Sequence, residues 1–256
     1  MKRRTAFALL AGLLSLSPPA GAQREPEVQK DLRERFGEWA EHYAGNVPGY
    51  TATETIELTR FKRAEPQAPQ RFAFRYSLSR FPARPRDLLE SRQPIPDDAG
   101  PRPPGAQTAS ALANRSGDTL PRELSDSTFS KLFLLPTRLA TRNHQIMKYF
   151  FAQDDTDKPG DSVLVGYRQF AGQGLLELHG KPVFPSGRAW IDPESGRPIR
   201  MEEEFGARDL RYWVAVDFAP HGPHWLPSHV SIRIFEKGRL STQTNYAYQS
   251  IRILKE

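Results

Sequence analysis

From Pro26 to Tyr43 the apolar residues are Val28, Leu32, Phe36, Trp39 and Tyr43, in steps of four, four, three and four. One apolar position per helical turn predicts an amphipathic helix with a single aromatic stripe. Pro26 suits the first turn, and Gly45-Asn46 suits the stop. Gly37 inside the helix costs up to ~1 kcal/mol relative to Ala but does not break it. Such a helix must lay its stripe on another element.

After "NVPG" the period changes from helical to two. "YTATETIELTRF" (Tyr50–Phe61) is Thr-rich and alternating, and "RFAFRYSLSRF" puts Phe72, Phe74, Tyr76 and Leu78 on one side. Arg71, Arg75, Ser77 and Ser79 fall on the other, so both segments read as strands with one wet face. The pattern then fails over residues 82–122, which are rich in Pro, Arg and small residues. Without lasting periodicity this stretch is expected to be a largely disordered insertion, with a short helix at Arg86–Ser91. "PRPP" within it is too short for a Pro-rich ligand motif, which favours a solvated loop.

Order resumes at "SDSTFSKLFLLPTR". Ser125 or Ser127 can cap a short helix carrying Phe129, Leu132, Phe133 and Leu135 and stopped near Pro136. Eight strand candidates follow: "NHQIMKYFFAQDD", "DSVLVGYRQFA", "GLLELHGKPV", "GRAWID", "RPIRMEEEF", "DLRYWVAVDFA", "WLPSHVSIRIFEK" and "RLSTQTNYAYQSIRI". Turn residues separate them closely enough to leave no room for parallel crossovers, so an antiparallel meander is expected. A one-sided apolar sheet needs a cover. The two helices are the evident ones, with Leu32, Phe36, Trp39 and Tyr43 facing Met147, Tyr149, Phe151, Tyr212, Val214 and Val216. From the residues alone that interface reads as a packed core in preference to the wall of an apolar cavity.

The N-terminus changes the picture of compartment. Met1-Lys2-Arg3-Arg4, the apolar run "TAFALLAGLLSLS" and Ala20-Gly21-Ala22 have the layout of a secretory signal peptide over residues 1–22. The run is too short to span a bilayer, and no later run reaches the ~18 apolar residues that a span needs. The expected product is a soluble periplasmic or extracellular chain, 23–256, folded as a single domain around the insertion. The whole chain carries 36 Lys+Arg against 30 Asp+Glu, and three of those cations lie in the signal, leaving a net of +3. Mixed charge of this size gives no reason to expect nucleic acid as a partner. With no cysteine, a thiol nucleophile, a thiolate metal site and a lipidated cysteine are excluded.

Candidate chemistry is thin. "GRAWIDPESGRPIRMEEEF" holds five carboxylates, yet Asp192-Pro193-Glu194-Ser195-Gly196 has turn chemistry throughout. The D-x-[DN]-x-[DN]-G spacing of a calcium loop is absent. By alternation Glu203 falls on the apolar side of its strand with Ile199, Met201 and Phe205. A bulge could turn it out, or it could sit at the wet rim of a cavity. His221, His224 and His229 crowd "HGPHWLPSH", but Gly222-Pro223 and Pro227 separate them. A polar hairpin tip is favoured there over Zn²⁺ or Cu²⁺. Asp154, Asp155 and Asp157 read as a solvated loop, and His42 and His144 stand alone. No G-x-S-x-G, H-E-x-x-H, P-loop or dinucleotide fingerprint occurs, so neither catalysis nor a cofactor or metal is expected.

"GRAWIDPESGRPIRMEEEF" and the following "YWVAVDFAPHGPHWLPSHVSIRIFEKGRLSTQTNYAYQSIRI" resemble the C-terminal half of LolA-like proteins. These comprise the periplasmic lipoprotein carrier, its sigma-regulatory sensor relatives and many bacterial secreted proteins. The shared pattern is a strand ending in Trp-Ile-Asp-Pro-x-x-Gly, a charged return strand, a strand near "WLP" and a final "Y-x-Y" strand. The leading helix and "NVPGYTATETIELTRF" are similar too. The resemblance implies an α+β fold: a curved antiparallel half-barrel whose inner face is covered by an N-terminal helix and a second short helix. It implies an apolar cavity for a lipid or lipoprotein acyl chain. The alternative it leaves open is a periplasmic sensor or scaffold with a filled core, no ligand and an envelope protein as partner.

Overall fold

The computed structural model describes residues 27–81, 84–95, 132–151, 159–172, 174, 176–178, 181–207 and 209–254. The expected signal peptide, most of the expected insertion and Asp154, Asp155 and Asp157 lie outside them. Helix α1 (Glu27–Asn46) leads into β1 (Tyr50–Lys62) through a short link. The chain continues through β2 (Glu65–Pro66), β3 (Gln70–Phe81) and β4 (Arg84–Pro94). Two 3₁₀ helices, Leu132–Leu139 and Thr141–Ile146, run directly into β5 (Met147–Phe151). There follow β6 (Val163–Gln169), β7 (Leu176–Leu178), β8 (Lys181–Val183), β9 (Ser186–Ile191), β10 (Pro198–Ala207), β11 (Leu210–His221), β12 (His224–Glu236) and β13 (Arg239–Ile253).

The fold is α+β, with one large, open, curved antiparallel sheet. Its order is β4-β3-β1-β13-β12-β11-β10-β9-β6-β5, with β2 a spur on β1. From β9 to β13 it is the expected meander. The meander breaks where the first strand meets the last: Tyr50 pairs with Ile253 and Leu58 with Thr244. β1, β3 and β4 therefore extend the sheet beyond β13.

Three expectations need correction. Residues 84–94, assigned to a disordered insertion with a short helix at Arg86–Ser91, form β4 and pair with β3 from Arg84 to Pro94. Pro tolerates an edge strand because one side of it needs no ladder partner, and β4 is an edge. The short helix before β5 does not stop near Pro136 but runs past it to Leu139 as a 3₁₀ helix. "GLLELHGKPV", read as one strand, makes the separate β7–β8 hairpin.

Alternation assigns the faces. Residues of one parity on neighbouring strands fall into transverse rows, such as Met201–Val216–Val230–Tyr246–Ile56–Phe72. The row beside it runs Glu203–Val214–Ile232–Thr244–Leu58. This is the inner face, packed beneath α1. The opposite parity carries charge: Glu202 accepts from Arg188 Nε at 2.8 Å and Arg200 Nε at 3.0 Å, and Arg200 donates to Asp217 at 2.8 Å. The guanidinium groups of Arg188 and Arg200 lie over the Trp190 ring on that outer side, at 4.8 and 5.9 Å from its centre.

Candidate functional site

The inner face and its roof form the candidate site. Leu32, Phe36, Ala40 and Tyr43 of α1 are buried, and the Tyr43 ring meets Phe218 edge-on at 6.4 Å. Trp39 is half-buried, stacks on Phe36 and meets the Tyr43 ring at a tilt, 4.7 Å between centroids. Met147, Tyr212, Val214 and Val216 are buried in the same cluster. Tyr149 packs against that cluster, with Arg33 of α1 over its ring. Of the ten residues expected at this interface, nine thus converge; the Phe151 side chain lies outside the described residues.

The 3₁₀ helices complete the roof. Leu135 and Leu139 are buried, and Asn143 Nδ2 ties the two helices by donating to the carbonyls of Thr137 and Arg138. Gly37 explains itself here: a Cβ on it would lie 2.6 Å from the His144 ring and 2.9 Å from Thr141 Oγ1. Only a glycine lets the 3₁₀ segment approach α1 so closely. Glu41 of α1 also pairs with the Arg142 guanidinium and accepts from the Arg142 N–H.

Two buried polar constellations interrupt the apolar face. Glu203 is fully buried and keeps its register opposite Val214 and Gly187, so neither bulge nor wet rim describes it. Its carboxylate pairs with Arg138 of the roof and accepts from the Tyr167 hydroxyl at 3.2 Å. Burial pulls the Arg138 guanidinium down to about 10, leaving it cationic at neutral pH. The second constellation centres on Glu54, also fully buried, which receives a two-pronged pair from Arg92 at 2.7 and 3.0 Å. Burial raises the Glu54 carboxyl, opposed by Arg92. Tyr76 donates to Glu90 at 2.7 Å, and the Arg92 guanidinium lies over the Tyr76 and Tyr246 rings. The parity of Glu54 with Ala52, Ile56 and Leu58 was visible in "YTATETIELTRF"; its partner sat in the segment read as disordered.

No family model matches the sequence, and no curated protein matches it. Among solved structures, the chain is similar to one from Vibrio parahaemolyticus described as an outer membrane lipoprotein-sorting protein domain. The two align over 90% of this chain and 93% of that chain, at 13% identity and a TM-score of 0.42. A likeness at this level carries no inference about function.

The acidic hairpin is a turn, and it anchors the roof. Asp192 Oδ1 accepts from the N–H groups of Glu194 and Ser195 and from the Ser195 hydroxyl. These bonds, the Ser195 N–H foremost, hold its carboxyl below the usual range. Gly196 takes a φ of 68° where a Cβ would crowd the Arg35 backbone. Arg35 of α1 donates to the carbonyls of Pro193 at 2.7 Å and Glu194 at 3.2 Å. Beside this joint lies a half-open cleft of about 440 Å³. Trp39, His42, Arg197, His224 and Trp225 are among its walls.

The histidines do not converge. His221 and His224 flank the β11–β12 turn, while His229 pairs with Asp217 at 3.4 Å. Among the described residues no three metal-ligating side chains cluster, and no helix is long and apolar enough to cross a membrane.

Proposed function

We propose that this chain is an exported, non-enzymatic binding protein that holds a lipid or acyl chain against the inner face of its sheet. The observation that carries the reading is how the roof is fixed. An extended apolar face lies under one helix and two short 3₁₀ helices, which Arg35, Arg138 and Glu41 tie down through a few polar contacts. Apolar side chains of the roof are exchangeable for an apolar ligand at little net cost, because burial is non-directional. An acyl chain entering there gains about 0.8 kcal/mol per buried CH₂. Export rests on the N-terminal pattern alone. The resemblance in sequence pattern points the same way.

One observation favours a second reading, a protein-binding scaffold with no ligand. Phe36, Leu135 and Leu139 are at most 1% exposed, so the roof already packs the face it covers. Native mass spectrometry with lipid extraction, on protein purified from an exported fraction without detergent, separates the two. A stoichiometric lipid adduct, lost in a Phe36→Asp variant that remains folded, supports the carrier. A clean apo mass, unchanged after incubation with phospholipids and lipopeptides, sinks it and leaves the scaffold.

A further inference from the structure

The free edge of the sheet at β5 carries an apolar and basic patch that the inner face does not use. Met147 and Tyr149 point inward, which turns Lys148 and Phe150 to the outer side. Phe150, Phe170 and Phe184 are 54%, 51% and 50% exposed, an unusual amount of aromatic surface to leave in water. Their supports are firm. Phe150 pairs with Gly166, where a Cβ would run into the Phe150 ring, so the ring lies flat on β6. Phe170 N–H donates to the Ile146 carbonyl at 3.0 Å, and Gln169 N–H to the Pro185 carbonyl beside Phe184 at 3.0 Å. A shallow groove of about 320 Å³ runs between Phe170 and Phe184, edged by Lys148 and Arg168.

Among the described residues the charge lining the groove has one sign, while Glu202 and Glu204, farther along the same outer-face rows, are paired with Arg188 and Arg211. Lys148 and Arg168 are cross-strand partners, and no Asp or Glu among the described residues lines the groove. Lys148 lies 5.4 Å from the centre of the Phe170 ring, and among the described residues neither cation has an ion-pair partner. Exposed aromatic rings beside two cations match the interfacial zone of an anionic bilayer. There rings sit at headgroup depth and ammonium or guanidinium groups meet lipid phosphates.

We infer that this patch docks the protein onto an anionic phospholipid surface. It lies on the outside of the strand whose inner side belongs to the proposed cavity, so docking would bring the open edge of the sheet to the lipid. The inference stands independently of any cavity ligand, because it concerns a different surface.

The test is co-sedimentation of the protein, purified from an exported fraction, with phosphatidylglycerol/phosphatidylethanolamine vesicles and with phosphatidylcholine vesicles. Three proteins are compared: wild type, Lys148→Gln with Arg168→Gln, and Phe150→Ser with Phe170→Ser and Phe184→Ser. Wild type is expected to bind the anionic vesicles, to release in high salt and to ignore phosphatidylcholine. Each cation near such a surface contributes about a factor of five, so the double variant binds roughly 30-fold more weakly. The triple variant loses binding while keeping its circular dichroism and melting temperature. Absence of wild-type binding overturns the inference. So does binding that the variants leave intact, which would place the lipid contact elsewhere on the chain. Concentration-dependent self-association that the triple variant abolishes, without any vesicle binding, would reassign the patch to a second copy of the chain.

Discussion

Arg138, on the roof, meets Glu203, at the centre of the sheet's apolar face, as a buried ion pair. Glu203 is fully buried and Arg138 keeps only 15% of its side chain exposed, so removal of one largely strands the other. Glu203→Leu is expected to cost about 3–5 kcal/mol in urea unfolding, because Arg138 is left buried and unpaired. Combining it with Arg138→Met restores most of the loss, since a well-packed apolar pair commonly equals a buried ionic one. A double variant as unstable as the single would mean that the pair does more than compensate its own burial.

Gly37→Ala sets two effects against each other. Alanine favours the helix by about 1 kcal/mol, but the new methyl overlaps His144 and Thr141, an overpacking worth about 1–3 kcal/mol. The expected net result is a lower melting temperature and faster hydrogen exchange in residues 141–146. A raised melting temperature would show that the 3₁₀ segment shifts away freely.

Asp192 supplies a pH dependence. Its folded pKa lies below its unfolded value, so its contribution is complete above about pH 4 and fades as pH falls through the depressed folded value. The group is largely solvated, which keeps the effect of Asp192→Ala to under about 1 kcal/mol at pH 7. Wild type and variant are expected to converge in stability on acidification. A gap that stays constant down to pH 2 would refute the assignment.

Arg35→Ala tests the joint between α1 and the acidic turn. Loss of its two bonds to backbone carbonyls is expected to cost about 1–2 kcal/mol and to speed exchange of the Gly196 amide. If that amide is unaffected, the turn is held by Asp192 and Ser195 alone.

Periodicity exposed most of this architecture. The α1 stripe, the alternation in β1 and β3 and the turn chemistry at Asp192–Gly196 are local, and each matches the element found. What escaped was either compositional or long-range. β4 looked disordered because its prolines suit only an edge, and edge status depends on where the strand docks. Pro136 looked like a stop because the segment was read as an α-helix, whereas a short 3₁₀ helix tolerates the missing donor. Glu203 announced itself by wrong parity, and Glu54, which carries the same signal in "YTATETIELTRF", escaped notice. Their partners, Arg92 and Arg138, are far along the chain, and no spacing rule links them.

The pairing of β1 with β13 reaches beyond geometry into timing. Tyr50 finds Ile253 only after nearly the whole described chain has emerged, so the sheet has no early, half-sized version in which β1, β3 and β4 are joined to the rest. Non-local strand pairing of this kind slows folding, because the entropy of closing the loop is lost before contacts repay it. Until the last strand arrives, β1 lacks its partner on that side, and the lag leaves its edge open to aggregation while it lasts.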